Sequence, residues 1–340
     1  MLTPPLRRLG VCAAVLALAA GLPPVASAAE VLAALERAFR QAAARAAPAV
    51  VGIEVERDAV PAARREVAEF LLPPGTPASG VVVAPEGLVL TSARNVAGAR
   101  EVRVVLPAGG RLLGEVLATD AELDLALVRA LDAPADLPAV AFRPAVPPPV
   151  GSWLVVVGFG PEGRPSVNTG IVSAIGRFDG LMLQTDAAIN HTNRGGLAVD
   201  IEGRPLGVVV HRSDRVGVNS GVGFVAAAGR IAERLPALSR GESIAPRPRP
   251  FLGIRLGEER LDPSGIVVAG VLPGSAAAAA ELLAGDLIHR IGEVTITDAR
   301  SLSRALRRYA PGDRVVVVVV RDGVPRELEL VLGARPEADE

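Results

Sequence analysis

The sequence contains no lysine. All 36 of its basic residues are arginine, set against 37 acidic ones. Aromatic residues make up only 3% of the chain, with one Trp and one Tyr, so its cores must be packed from Val, Leu, Ile and Ala. The single cysteine, Cys12, excludes an internal disulfide framework and any cysteine-based metal site. The three histidines, His191, His211 and His289, read as surface or loop residues without catalytic work. We therefore expect neither metal nor cofactor. The near-balance of charge gives no basic field of the kind that attracts nucleic acid or an anionic membrane.

No apolar run after the N-terminal segment is long enough to cross a bilayer; Val315–Val320 has the length of a strand. The N-terminus itself reads as a leader over residues 1–28. Arg7 and Arg8 precede an apolar stretch from Leu9 to Leu22, and Ala26-Ser27-Ala28 has the small residues of a cleavage site. A retained membrane anchor is the competing reading, disfavoured by the shortness of the stretch and by Pro23-Pro24. Cleavage would leave no membrane span and place the chain in the periplasm or outside the cell. It would also remove Cys12 and leave 34 arginines against 37 acids, a net charge of −3 before histidine is counted.

Glu30–Ala47 has helical spacing, with Leu32, Leu35 and Phe39 on one face and Pro48 closing it. From Val50 onward the pattern turns to short β-branched runs between Gly and Pro. Strands are expected at Val50–Val55, Val81–Val83, Leu88–Leu90, Val102–Leu106, Leu113–Leu117, Leu125–Val128, Leu154–Val157, Ile171–Ala174, Leu181–Gln184, Leu206–Val210 and Val222–Val225. That density points to an all-β barrel or sandwich. Asp58–Pro77 reads as a charged, Pro-rich surface loop, and Ala141–Pro149 as a break joining two halves of the β domain. Residues 29–238 form the first domain, 239–249 a stiff Pro-rich linker, and 250–335 a smaller unit of strands and two helices. One helix starts at the N-cap Ser275, and the second covers Ser301–Tyr309.

Gln184-Thr185-Asp186-Ala187-Ala188-Ile189-Asn190-His191-Thr192-Asn193-Arg194-Gly195-Gly196 resembles the nucleophile loop of HtrA-type trypsin-like serine proteases. The likeness extends through Ala47–Val51, Gly87–Thr91, Thr119–Val128, Val167–Arg177 and Gly221–Phe224, in the family's order. It implies a mainly β chain, a chymotrypsin/trypsin-like double β-barrel followed by an α+β PDZ domain. Family proteases need a serine nucleophile, an imidazole base and an orienting carboxylate. The carboxylate matches Asp124. The base falls on Arg94 and the nucleophile on Arg194, and a guanidinium can be neither. The oxyanion-hole glycine falls on Thr192, where a Cβ would strain or remodel the loop, and its flanking proline falls on His191. The resemblance thus implies a vestigial triad. Asp124 is either a turn residue or the partner of Arg94 or Arg194. Thr192 and Ser92 are the hydroxyls available to an unusual active site, with His191 as the nearby imidazole.

Phe251-Leu252-Gly253-Ile254 resembles the carboxylate-binding loop of a PDZ domain, and Gly265–Val268, Pro273–Ala276, Leu283–Ile288 and Ile291-Gly292 match further landmarks. The implied groove runs along Gly253–Leu256 with Leu302 and Leu306 on the opposite wall. It would take polypeptide C-termini or unfolded chains. The reading is a secreted HtrA-like pseudoprotease of envelope protein quality control, acting as holdase, adaptor or partner of an active HtrA relative. The alternatives are an active serine endopeptidase with a non-standard site and a structural envelope component. Family members trimerise through the N-terminal segment, here Glu30–Ala47, so a homotrimer is a further expectation.

Overall fold

The structure, a computed structural model, describes residues 27–55, 77–144, 146–211, 221–257 and 265–334. Nearly all of the leader and of the 58–77 loop thus lies outside the described residues. The chain divides into two compact units, Met1–Ala245 and Pro246–Glu340.

The first unit opens with helix α1, Ala28–Ala46. Ser27 caps it in a reciprocal box, accepting from the Glu30 N–H while the Glu30 carboxylate accepts from the Ser27 N–H at 2.7 Å. Cleavage after Ala28 would take this cap away. Ala42, Ala43 and Ala46 bury the inner face, and the Phe39 ring meets Trp153 edge-on at 5.2 Å. Pro48 does not end the helical path at once. A 3₁₀ turn, Ala47–Ala49, carries the chain into the first strand because proline is tolerated at the start of a helical turn.

Twelve strands follow: β1 Val50–Glu54, β2 Ala78–Ala84, β3 Leu88–Ser92, β4 Glu101–Val105, β5 Arg111–Asp120, β6 Leu125–Ala130, β7 Trp153–Phe159, β8 Pro165–Gly176, β9 Met182–Thr185, β10 Leu197–Val199, β11 Pro205–Val210 and β12 Gly223–Ala227. They close two six-stranded antiparallel barrels, in the orders β1-β2-β3-β6-β5-β4 and β10-β11-β12-β9-β8-β7. Eleven of the twelve coincide with a strand expected from sequence. The missing one, β10, is three residues long and follows Gly195-Gly196, too short to show an alternation. Val and Leu fill both barrels: Val81, Leu90, Leu125, Leu127, Val155, Val157, Leu197 and Val208 are all buried. β1 and β2 pack on β7, and β3 on β11, so the barrels meet along a seam. Helix α2, Ala228–Ser239, closes the unit and buries Ile231 and Leu238.

The linker expected over 239–249 is partly fixed. Ser243 Oγ accepts the Thr119 N–H at 3.1 Å, and Ile244 exchanges hydrogen bonds with Thr119 and Ala121 at 2.8 and 3.0 Å. The end of β5 offers backbone groups that this segment satisfies, so residues 243–244 belong with the first unit.

The second unit contains β13 Pro250–Phe251, β14 Ile254–Leu256, β15 Ile266–Val271, helix α3 Ala276–Ala279, β16 Leu287–Ile291, β17 Val294–Thr295, helix α4 Ala299–Leu306, β18 Arg314–Arg321, β19 Val324–Val331 and β20 Gly333–Ala334. Its main sheet runs β14-β15-β16-β18-β19, with β14 on the edge. The second expected helix ends earlier than its sequence pattern, at Leu306, and continues as a turn to Tyr309. Leu302, Ala305, Val317, Ile288 and Leu252 share its core.

Candidate functional site

The seam between the barrels brings together the three positions separated in sequence. Arg94 lies in a 3₁₀ turn, Ala93–Asn95, directly after β3. Asp124 ends the turn between β5 and β6. Arg194 sits in the loop before β10. The Ala93 N–H donates to the Asp124 carbonyl at 2.9 Å, and Asn95 Nδ2 donates to the Arg194 carbonyl at 3.0 Å.

The loop around Arg194 is held mainly through its backbone. The Arg194 carbonyl also accepts the Ser79 N–H at 3.0 Å, and the Gly195 N–H donates to Val209 O at 2.7 Å. Gly195 has φ +84°, and a Cβ there would lie 2.0 Å from the Ser79 carbonyl oxygen, so only glycine fits. Ser79 is a hub that the sequence reading overlooked. Its hydroxyl donates to the Thr192 carbonyl and accepts the Phe159 N–H at 2.7 Å. A lone polar residue before the Val81–Val83 run was its only signal.

The anticipated strain at Thr192 does not arise. Thr192 is absent from the non-glycine residues with positive φ. Residues 190–194 form a turn in which the Arg194 N–H donates to Asn190 O at 3.2 Å. A β-branched residue avoids the left-handed conformation open to glycine, and the chain turns inward. The N–H at the nucleophile position, one of the two that form a trypsin-like oxyanion hole, is thereby committed within the loop. Asn190 fastens the turn further: its Oδ1 accepts Thr192 Oγ1 at 2.7 Å and the Asn193 N–H at 3.1 Å. The other candidate hydroxyl, Ser92 Oγ, donates to Asp124 Oδ2 at 2.6 Å. Ser92 and Thr192 are both buried.

Asp124 is held by hydrogen bonds from both flanking barrels. Its Oδ2 accepts the Ser92 hydroxyl and, at 2.9 Å, the backbone N–H of His211, while the His211 imidazole supplies favourable charge. Burial nonetheless holds its pKa above the ordinary carboxylate value. The Arg194 guanidinium meets His191 Nδ1 at 2.9 Å. His211, taken from sequence as a residue without a role, is therefore part of this site. Asp124 itself has φ +53°, a left-handed turn conformation that a short polar side chain tolerates. Among the described residues no three His, Cys, Asp or Glu side chains are grouped to hold a metal ion.

In the second unit, the Leu252 carbonyl accepts the Ala277 N–H and the Gly253 carbonyl accepts the Leu272 N–H, both at 2.8 Å. In a trans peptide the C=O and the following N–H point in opposite directions. The N–H groups of Gly253 and Ile254 are thus turned away from the domain, beside the open edge of β14. Gly253 has φ +82°, and a Cβ there would collide with Ser275 at 2.0 Å. Phe251 and Ile254 are half-buried, and Leu252 is buried beneath the loop. Leu306 is also half-buried, but Leu302 lies 6% exposed in the core, where it supports the helix from behind.

These two architectures define a trypsin-like peptidase fold joined to a PDZ fold. Models of the trypsin-like peptidase domain and of the PDZ domain match residues 78–208 and 250–332. The chain is 31% identical over 332 residues to HhoB of Synechocystis sp., covering 85% of this chain and 77% of HhoB. It is 30% identical to a Halomonas elongata protein described as "Probable periplasmic serine endoprotease DegP-like", over 76% of this chain and 57% of that protein. The chain spans little more than half the length of the DegP-like relatives it matches. Similar solved structures include a Yersinia pestis serine endoprotease (TM-score 0.60, 25% identity, 88% of this chain and 98% of that one). Another is the HtrA-type protease AlgW with a decapeptide (TM-score 0.58, 28% identity, 88% and 99%). The chain belongs to the HtrA family of trypsin-like serine proteases with a PDZ domain. Several relatives are described as periplasmic, in keeping with a periplasmic or secreted location. No described helix is long and apolar enough to cross a membrane.

Proposed function

We propose that this chain is a pseudoprotease of the HtrA family, which captures polypeptide C-termini or unfolded chains through its PDZ groove in envelope quality control. The observation that carries the reading is the combined loss at one site. Arg94 and Arg194 replace base and nucleophile, and the Arg194 N–H is donated to Asn190. An arginine side chain has neither a lone pair to take a proton nor an atom to attack with at any pH the protein meets. Both substitute hydroxyls are buried and donate to side-chain oxygens, Ser92 to Asp124 and Thr192 to Asn190, rather than to an imidazole. In support of peptide capture, the Gly253 and Ile254 N–H groups flank a free sheet edge, the arrangement that binds a terminal carboxylate while a peptide adds as a strand. The residues proposed for that contact are Phe251, Leu252, Gly253, Ile254 and Leu306, with Leu302 behind them. A homotrimer built on α1 and association with an active HtrA relative belong to the same proposal.

Incubation with unfolded casein tests the catalytic half. No cleavage above a buffer control is expected; cleavage abolished by Thr192→Ala or Ser92→Ala would establish an active endopeptidase instead. Failure to bind any free C-terminal peptide would favour a structural role.

A further inference from the structure

The arginines of the second unit are unevenly used. Three of those on the sheet are ion-paired: Arg290 with Glu327 at 3.3 Å, Arg314 with Glu329 at 3.2 Å and Arg321 with Asp286 at 2.6 Å. Arg300, Arg304, Arg307 and Arg308 take part in none of the described ion pairs, and all four are exposed. They fall within residues 299–312, a stretch without a single acidic residue. At about 100° per residue, Arg300, Arg304 and Arg307 share the face of α4 opposite Leu302 and Ala305, so one side of this helix enters the core and the other is a cationic ridge. Arg307 and Arg308 suit the negative end of the helix dipole. Arg300 stands in the first turn, where a cation is disfavoured, so the dipole does not account for it. Asp298, two residues before it, is the N-cap, accepting the Ser301 N–H at 2.6 Å, and its carboxylate also attracts Arg300.

We infer that this ridge selects an acidic polypeptide segment immediately upstream of the C-terminus held at Gly253–Ile254. The inference rests on the peptide-groove reading above and names the ligand class of that site. The eight-residue helix is about 12 Å long, the span of roughly four residues of an extended peptide. Ile254 of β14 and Leu306 of α4 pack against the same core, so the last few residues of a chain lying along β14 would run beside this helix. The outward face of α4 carries only arginine and Ser303, with no exposed apolar side chain to enter a lipid layer. An acidic peptide is the complementary partner.

The test measures fluorescence anisotropy of the full chain with two labelled peptides of one C-terminal sequence, either neutral or glutamate-rich upstream, each as free acid and amide. The acidic free acid is expected to bind roughly fivefold tighter than the neutral one at low salt, two exposed pairs contributing about 0.5 kcal/mol each. The advantage should vanish in high salt and in the double variant Arg304→Gln/Arg307→Gln, with neutral binding unchanged. Equal binding of both free acids, lost on amidation, would overturn the acidic selection and leave the groove standing. No binding of either would overturn both. Arginine-dependent binding to phosphatidylglycerol vesicles without any preference between the peptides would overturn it in favour of a membrane surface.

Discussion

Restoring the lost side chains should not by itself restore the enzyme. The double variant Arg94→His/Arg194→Ser supplies a base and a nucleophile, whose joint absence costs a serine protease about 10⁶ in kcat. It leaves the 190–194 turn in place, with the position-194 N–H still donated to Asn190 O across 3.2 Å. Loss of one oxyanion donor costs about 10² to 10³ in kcat, or 2.7–4 kcal/mol of transition-state stabilisation. Adding Thr192→Gly and His191→Pro frees the loop to turn that amide outward. The double variant should therefore cleave labelled casein some 10²- to 10³-fold more slowly than the quadruple variant, with the wild-type chain at background. Parallel titration with a fluorophosphonate probe counts activated serines. Equal rates in the two variants would refute the argument that the turn disables the site, since the amide would then be available with Thr192 in place.

Three further outcomes follow from the geometry. Gly195→Ala should cost at least 1–2 kcal/mol from the left-handed backbone alone, roughly, and more from the contact with Ser79, seen as a lower Tm of the first unit. Asp124→Asn should leave stability at pH 7 unchanged or raised, because burial lifts the folded pKa of this carboxyl. The wild type then loses stability as pH rises through that lifted value, and recovers it below the ordinary carboxylate range; denaturant midpoints across mildly acidic pH would show the dependence absent from the variant. Arg321→Ala should lower the Tm of the PDZ unit, since it removes the guanidinium paired with the buried Asp286 and leaves that carboxylate only the Leu283 N–H. The Arg321 guanidinium holds the Asp286 pKa below the usual range, so its contribution persists above the unfolded value and disappears as pH falls through the folded one.

The architecture was legible because short β-branched runs between Gly and Pro mark strands, and most strands of these two barrels are buried along their length. The triad positions were legible through the ordered resemblance around Asp124 and Arg194. The partners of Asp124 were not. His211 reaches it through a backbone N–H, which every non-proline residue possesses, so no side-chain pattern announces it. Ser79 ties Thr91, Phe159 and Thr192, which are 12, 80 and 113 residues away in sequence, through three hydrogen bonds, a role fixed only once the barrels have packed. The turn at 190–194 depends on peptide orientation, to which the substitution of Thr192 gave a direction but no geometry.

The carbonyl of residue 194 receives one hydrogen bond from β2 and another from the turn after β3, while the neighbouring Gly195 amide reaches β11. The loop is thus a clasp between the barrels, fastened by backbone atoms that any side chain at 194 would supply. The amino acid there is a passenger on a joint the fold requires. A serine protease could exchange its nucleophile for arginine without loosening the barrels, which makes silencing of the chemistry a mechanically cheap change.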